Sequence, residues 1–191
     1  TFRGVASSVG NIGSGRYMNF NPAPSGTSLT QLPITLTAPT TIEFQFDQPW
    51  FDQQPAGSTA DVKSEVDFYV LDSSNNIVAS GVSNNLATHQ PVQYVDVPTA
   101  GSFTVAIVVK TGPDPGHVMF VDAGDSNVMT VSTQFGSAGG TYYPASWGHS
   151  SGANTIGVGA VPWWAPSPFL NQNPLMSEPY SSSGPTLITL N

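Results

Sequence analysis

The chain shows no sustained periodicity of 3.6 residues, because proline or glycine interrupts nearly every segment in which a helix could form. Short apolar runs with a period of two residues recur instead, separated by turn-forming residues. In one of them, residues 41–47, the side chains of Ile42, Phe44 and Phe46 share one face. The pattern predicts an all-β protein with very little helix.

Eight such runs indicate a β-sandwich or jelly roll. They cover residues 33–37, 41–47, 66–71, 77–80, 92–97, 103–110, 118–121 and 128–131. The clearest hairpin joins residues 66–71 to 77–80 through the Asp-Ser-Ser-Asn-Asn segment 72–76. Residues 103–110 are too apolar for an edge strand, so we predict a central strand there. Residues 118–121 are predicted to be its neighbour across the turn 111–116.

The composition changes past about residue 122, and a glycine-rich segment at residues 136–140 leads into a region rich in proline and tryptophan. We predict a sandwich domain over residues 1–135 and a C-terminal extension over residues 136–191, with one or two further strands. The extension is too thin to fold around a core of its own. Its apolar side chains are therefore expected to form an interface, and the candidates are Trp147, Trp163, Trp164, Leu187, Ile188 and Leu190.

Charged residues make up only 8% of the chain, and four Lys/Arg against twelve Asp/Glu give a formal net charge of −8. So few cations argue against a nucleic-acid partner, since that would require phosphate neutralisation. No apolar run approaches the ~20 residues of a membrane-spanning helix, so no membrane insertion is predicted. The Lys-poor surface, rich in Ser, Thr, Asn and Gly, is typical of secreted β proteins and predicts an extracellular location.

Four carboxylates, Asp61, Glu65, Asp67 and Asp72, cluster around the predicted hairpin. Calcium takes about six to eight oxygen ligands, often from such loops, so these residues are the candidate calcium site and no other cofactor is expected. The alternative is that they are solvated charges at strand ends, which protect a sheet edge.

The three histidines share no metal-ligand spacing and lie near proline or glycine. We expect His89, His117 and His149 in turns or at the surface.

Three motifs in the extension resemble, in the right order, the part of subtilisin-like serine peptidases that leads toward the nucleophile. They are residues 143–146 (Tyr-Pro-Ala-Ser), 156–161 (Ile-Gly-Val-Gly-Ala-Val) and 180–185 (Tyr-Ser-Ser-Ser-Gly-Pro). Residues 66–72 followed by 77–80 are similar to the jelly-roll modules inserted in, or appended to, secreted peptidases. The resemblance implies an extracellular module adjoining a segment of a peptidase.

The catalytic residues of that family are not found in this sequence. The family needs a nucleophilic serine in a Gly-Thr-Ser-x-Ala-x-Pro setting, a histidine base and an aspartate. The Gly-Thr-Ser of residues 26–28 runs into Leu-Thr-Gln instead, so no catalytic residue is assigned. Residues 10–13 (Gly-Asn-Ile-Gly) could match the oxyanion loop, although a turn at a mobile N-terminus is the alternative.

Three functions are consistent with these observations. The first is a non-catalytic extracellular module acting in binding or assembly, whose partner is the remainder of a parent peptidase. The second is a homo-oligomeric filament, in which the C-terminal extension docks on, or exchanges a strand with, the next copy. The third is a glycan-binding jelly roll, in which tryptophans such as Trp50 and Trp163 stack on sugar rings.

Overall fold

The computed structural model describes residues 2–21, 27–54, 56–123 and 128–131 of the 191-residue chain. All of these residues lie in the first of the two units into which the chain divides, Thr1–Phe135 with Asn191. They form antiparallel sheets with almost no helix, and the predicted all-β sandwich is therefore confirmed.

The described residues contain ten strands. They are β1 (Gly4–Val9), β2 (Gly13–Met18), β3 (Leu32–Leu36), β4 (Thr40–Phe46), β5 (Glu65–Leu71), β6 (Ile77–Gly81), β7 (Val92–Val97), β8 (Gly101–Thr111), β9 (Val118–Asp122) and β10 (Met129–Val131). A one-turn helix, α1, covers Asn85–Thr88, and 3₁₀ turns cover Gly10–Ile12 and Phe51–Gln53. Within the described ranges, no helix has the length and hydropathy to cross a bilayer.

Strand β8 lies at the centre of the larger, seven-stranded sheet, which confirms that residues 103–110 are a central strand. One edge of β8 pairs with β5, which pairs in turn with β6. The other edge pairs with β3 over residues 101–105 and with β2 at residues 108–109. Strand β1 extends the sheet beyond β2, and β10 extends it beyond β3. The smaller sheet has the order β7-β4-β9.

The prediction that residues 118–121 neighbour the central strand is wrong. Strand β9 crosses to the smaller sheet and pairs with β4, where Phe120 is opposite Phe44. Both edges of β8 are occupied, by β5 on one side and by β2 and β3 on the other, so no edge remains for β9. The connecting residues 112–117 also contain Pro113 and Pro115, which cannot donate hydrogen bonds in a tight hairpin.

The main core fills the space between the two sheets. Alternation along β4 buries Ile42, Phe44 and Phe46, as the sequence predicts. Phe68 of β5 reaches across from the larger sheet, and its ring centroid lies 5.2 Å from that of Phe44 and 5.4 Å from that of Phe120. Aromatic contacts thus join the two sheets at the middle of the sandwich.

Strands β1 and β2, with the turn between them, form a hairpin that the apolar pattern does not predict. Glycine and serine occupy much of both strands, so the alternation of apolar residues is weak. The amino-terminal hairpin (residues 4–18) lies partly over the outer face of the larger sheet, where a Cβ on Gly15 would be 2.8 Å from Cγ1 of Val108. Glycine therefore permits this close approach. A second apolar cluster forms there from Val9, Tyr17, Tyr69, Leu71, Ala106 and Val108.

Candidate functional site

The four predicted calcium ligands lie in different surroundings, and Asp72 serves the turn between β5 and β6. Its Oδ2 accepts a hydrogen bond from the side-chain amide of Asn76 at 2.9 Å. Its Oδ1 accepts from the backbone N–H groups of Ser74 and Asn76, both at 2.8 Å. Hydrogen bonds from the Asn76 side chain and backbone, and from Ser74, lower the pKa of Asp72. Asp72 therefore fixes the predicted hairpin as an Asx-turn residue.

We expect Asp72→Ala to destabilise the protein more at neutral pH than in acid. Because the folded-state pKa is lowered, the contribution of the carboxylate is present above the ordinary pKa of aspartate and is lost as the pH falls through the lowered value. Urea unfolding of both proteins at neutral and acidic pH measures this difference. An equal loss at both pH values would contradict the role of the charged carboxylate.

Asp67 is buried, with 4% of its surface exposed, although alternation turns it away from the main core. Its Oδ2 accepts a hydrogen bond from the Tyr69 hydroxyl at 2.6 Å, and its buried Oδ1 has no hydrogen-bond partner among the described residues. Desolvation raises the pKa of Asp67, and the Tyr69 hydrogen bond only partly offsets it. The interpretation as a solvated strand-end charge is therefore wrong for Asp67.

Asp61 and Glu65 do not form a metal-binding group with the other candidate ligands among the described residues. Oδ2 of Asp61 is 2.7 Å from Nδ1 of His89, and Glu65 is half-buried at the start of β5. In the part of the chain that the structure describes, no group of three or more His, Cys, Asp or Glu side chains is placed to hold a metal ion. The calcium prediction gains no geometric support, and the proposed function does not depend on it.

Three connections between strands meet at one end of the sandwich, which we call the loop end. They are residues 47–64, 82–91 and 112–117. The strand registers bring them together, because β5 begins opposite the end of β8, and β9 and β7 begin beside the end of β4. Strand β6 ends at Gly81, opposite Phe68 near the start of β5. Loops carried on one end of a rigid sandwich are a frequent place for binding surfaces.

Two buried amides hold the loop end together. Val66 lies beyond the end of β6, so its backbone has no strand partner on that side. Oδ1 of Asn85 accepts a hydrogen bond from the Val66 N–H at 3.0 Å, and Nε2 of Gln93 donates to the Val66 carbonyl at 3.1 Å. The Asn85 amide also donates to the carbonyls of Gln90 and Val92. These side chains thus replace the missing strand residues and fix residues 82–91 on β5.

Sequence reasoning missed this pair, although a signal for one member was present. Val95 and Val97 face the core, so the period of two residues places Gln93 inward as well. An inward glutamine predicts a buried hydrogen-bond network. Nothing in the spacing marks Asn85, which is buried on the one-turn helix α1.

The surface of the loop end carries exposed apolar side chains beside a His–Asp pair. The ring of Phe51, 48% exposed, lies 5.3 Å from the ring of His89, which in turn contacts Asp61. Val82 and Leu86, on the neighbouring connection, are 50% and 39% exposed. Exposed apolar groups on well-supported loops are suited to contact with another macromolecule.

The other predicted residues are placed as follows. His89 and His117 are exposed in connections, as expected, and Nδ1 of His117 lies 3.0 Å from Oδ2 of Asp47. Residues 10–13 lie at the tip of the amino-terminal hairpin, where Val9 pairs with Gly13. Trp50 is half-buried beside the 3₁₀ turn.

Several predicted residues lie outside the described part of the chain. They are His149 and the interface candidates Trp147, Trp163, Trp164, Leu187, Ile188 and Leu190. Their roles stay predictions.

Comparison with known protein families and curated proteins found no match. The resemblance to subtilisin-like peptidases therefore stays a prediction from the quoted motifs.

Proposed function

We propose that this protein is a non-catalytic extracellular β-sandwich module, related to modules of subtilisin-like peptidases, that acts in binding or assembly through its loop end. The observation that carries the proposal is the exposure of Phe51, Val82 and Leu86 at the loop end, where buried amides hold residues 82–91 in place. A surface of this kind gains free energy when a partner covers it, and its rigid support limits the entropy lost on binding.

The polar groups around this surface support binding rather than catalysis. The carboxylate of Asp61 contacts His89, and that of Asp47 contacts both His117 and the backbone N–H of Gly116. Both carboxylates lie on the connection of residues 47–64, and each joins it to one of the two neighbouring connections. Among the described residues, no hydroxyl group is hydrogen-bonded to His89 or His117, whereas acyl transfer by a His–Asp pair requires an activated nucleophile.

The partner that can be tested directly is a second copy, because the extension is predicted to need a surface outside itself. We expect the full chain to self-associate, and we expect the double variant Phe51→Ser/Leu86→Ser to weaken that association at least tenfold. Removing apolar contact area from the centre of an interface commonly changes binding by that amount or more. Sedimentation velocity over a range of concentrations measures the effect.

The matched control is Ile77→Ser, since Ile77 is also exposed, at 39%, but lies at the opposite end of the sandwich. It should leave the association unchanged. Equal weakening by both variants, or a monomer at every concentration, would contradict assembly through the loop end. The absence of serine peptidase activity is tested separately. Incubation with a fluorophosphonate probe should leave the intact mass of the protein unchanged, and a covalent adduct on a serine would contradict the non-catalytic role.

A further inference from the structure

Three side chains, one of them from the amino-terminal hairpin, form a row on the outer face of the larger sheet. In the strand registers, Val108 of β8 is opposite Asp67 on one side and opposite Tyr17 on the other. Gly15 lies on the side chain of Val108, and a Cβ on Gly10 at the hairpin tip would be 2.6 Å from the carbonyl oxygen of Asn75. The hairpin therefore runs from β8 across β5 toward the turn that follows β5.

A short ladder, a buried apolar cluster and an ion pair attach this hairpin to the sandwich. Only two residue pairs join β2 to β8 within the described ladder, while six pairs join β1 to β2. The Arg16 guanidinium adds a hydrogen bond to the Gly112 carbonyl and an ion pair with Asp114, Nε to Oδ1 at 3.1 Å. A segment with strong internal pairing at the edge of a sheet can open as a unit while the remaining sheet stays folded.

Asp67 is next to Val108 in this row, and 4% of its surface is exposed. On its own strand, the Tyr69 hydroxyl donates to Oδ2, and Glu65 adds a repulsive charge. On β8, the ammonium group of Lys110 attracts the ionised form of Asp67. On β2, the phenol ring of Tyr17 packs in the apolar cluster that contains Tyr69 and Val108. The second oxygen, Oδ1, is buried without a hydrogen-bond partner among the described residues. The ionised form is therefore incompletely solvated when the hairpin is closed.

We propose that the amino-terminal hairpin is a pH-sensitive flap, which closes more tightly when Asp67 is protonated and loosens when Asp67 ionises. Opening returns the carboxyl to water and exposes the apolar surface of Tyr69, Leu71 and Val108.

The hairpin should open more readily as the pH rises, because the two states bind the Asp67 proton with different affinity. Burial raises the pKa of Asp67 in the closed state, whereas in the open state the carboxyl titrates nearer the ordinary range of aspartate. The closed state thus binds the proton more tightly, and lowering the pH favours it. Between the two pKa values, the opening constant should rise about tenfold per pH unit, because one proton is released on opening. Above the raised pKa it should level off.

Hydrogen exchange of the full chain, followed by mass spectrometry and corrected for the intrinsic pH dependence of exchange, measures this opening. We expect the protection of residues 4–18 to fall as the pH rises through the window, while the protection of β4 and β5 stays constant. In Asp67→Asn, which keeps the shape and an acceptor for Tyr69, the pH dependence of the hairpin should disappear.

Two further variants distinguish the attachment of the hairpin from the titration of Asp67. Asp114→Asn removes the ion pair with Arg16, so it should lower hairpin protection but keep the pH dependence. Tyr69→Phe removes the hydrogen bond that favours the carboxylate, so the upper limit of the pH window should move to higher pH. The same pH dependence in Asp67→Asn as in the wild type would overturn the proposal. A pH dependence shared by all strands would overturn it as well, because it would indicate global unfolding.

Discussion

Replacing Phe68 by alanine should lower the free energy of unfolding by about 4 kcal/mol, the typical effect of removing a buried phenylalanine. Phe68 is completely buried and contacts aromatic rings of the opposite sheet, Phe44 on β4 and Phe120 on β9. The substitution removes apolar contact area and leaves a cavity that the two sheets cannot close without moving together. Urea unfolding, followed by tryptophan fluorescence, measures the change.

Phe51→Ala is the matched control for this experiment. It removes the same atoms from a side chain that is about half exposed, so the expected loss is below about 1 kcal/mol. Similar losses for the two variants would show that Phe68 does not join the sheets as described.

Replacing Asn85 by alanine should lower the free energy of unfolding by about 3 kcal/mol, because buried partners lose their hydrogen bonds. Asn85 is fully buried and makes four hydrogen bonds, with the Val66 N–H, the Gln93 amide, and the carbonyls of Gln90 and Val92. Alanine leaves these groups in a site that is closed to water. Residues 82–91 should also lose protection in hydrogen exchange, since Asn85 attaches them to β5.

The neighbouring Asn84 provides the control. Its side chain caps α1 by accepting from the N–H groups of Leu86 and Ala87, and it lies at the surface. Removing an exposed cap lowers stability by about 1 kcal/mol. If Asn84→Ala and Asn85→Ala had equal effects, the buried network would contribute no more than an ordinary helix cap.

The Asn85 network also supports the surface through which we propose that the protein binds. The buried amides hold the loop that carries Val82, Leu86 and His89, and the ring of Phe51 rests on His89. Asn85→Ala should therefore weaken self-association in addition to stability, even though its side chain is inaccessible to a partner. Weaker association at a temperature where the variant remains folded would connect the network to the binding surface.

The alternation of side chains made the strands predictable. All eight predicted strands are present with small shifts at their ends, as in residues 92–97, which match β7, and residues 33–37, which correspond to Leu32–Leu36. The Asx-rich turn at residues 72–76 was equally clear, because aspartate and asparagine bond to their own backbone in any context. These features depend on neighbours within a few positions of the chain.

The candidate site was less predictable. The loop end combines three connections that are distant in sequence, and Asn85 carries no local pattern that distinguishes it from a surface asparagine. Asp67 was chosen as a candidate from its charge, and no local pattern predicts that it is buried in the folded chain.

The amino-acid sequence by itself determined where eight of the ten described strands form, which face of strands such as β4 is apolar, and that β8 would be central. Only the tertiary structure decided that β9 joins the smaller sheet, that the glycine-rich hairpin joins the larger one and packs partly on its outer face, and that Asp67 is buried. The physical reason is that alternation is a property of a single strand. The occupancy of a sheet edge and the covering of a sheet face depend on which distant segments compete for them.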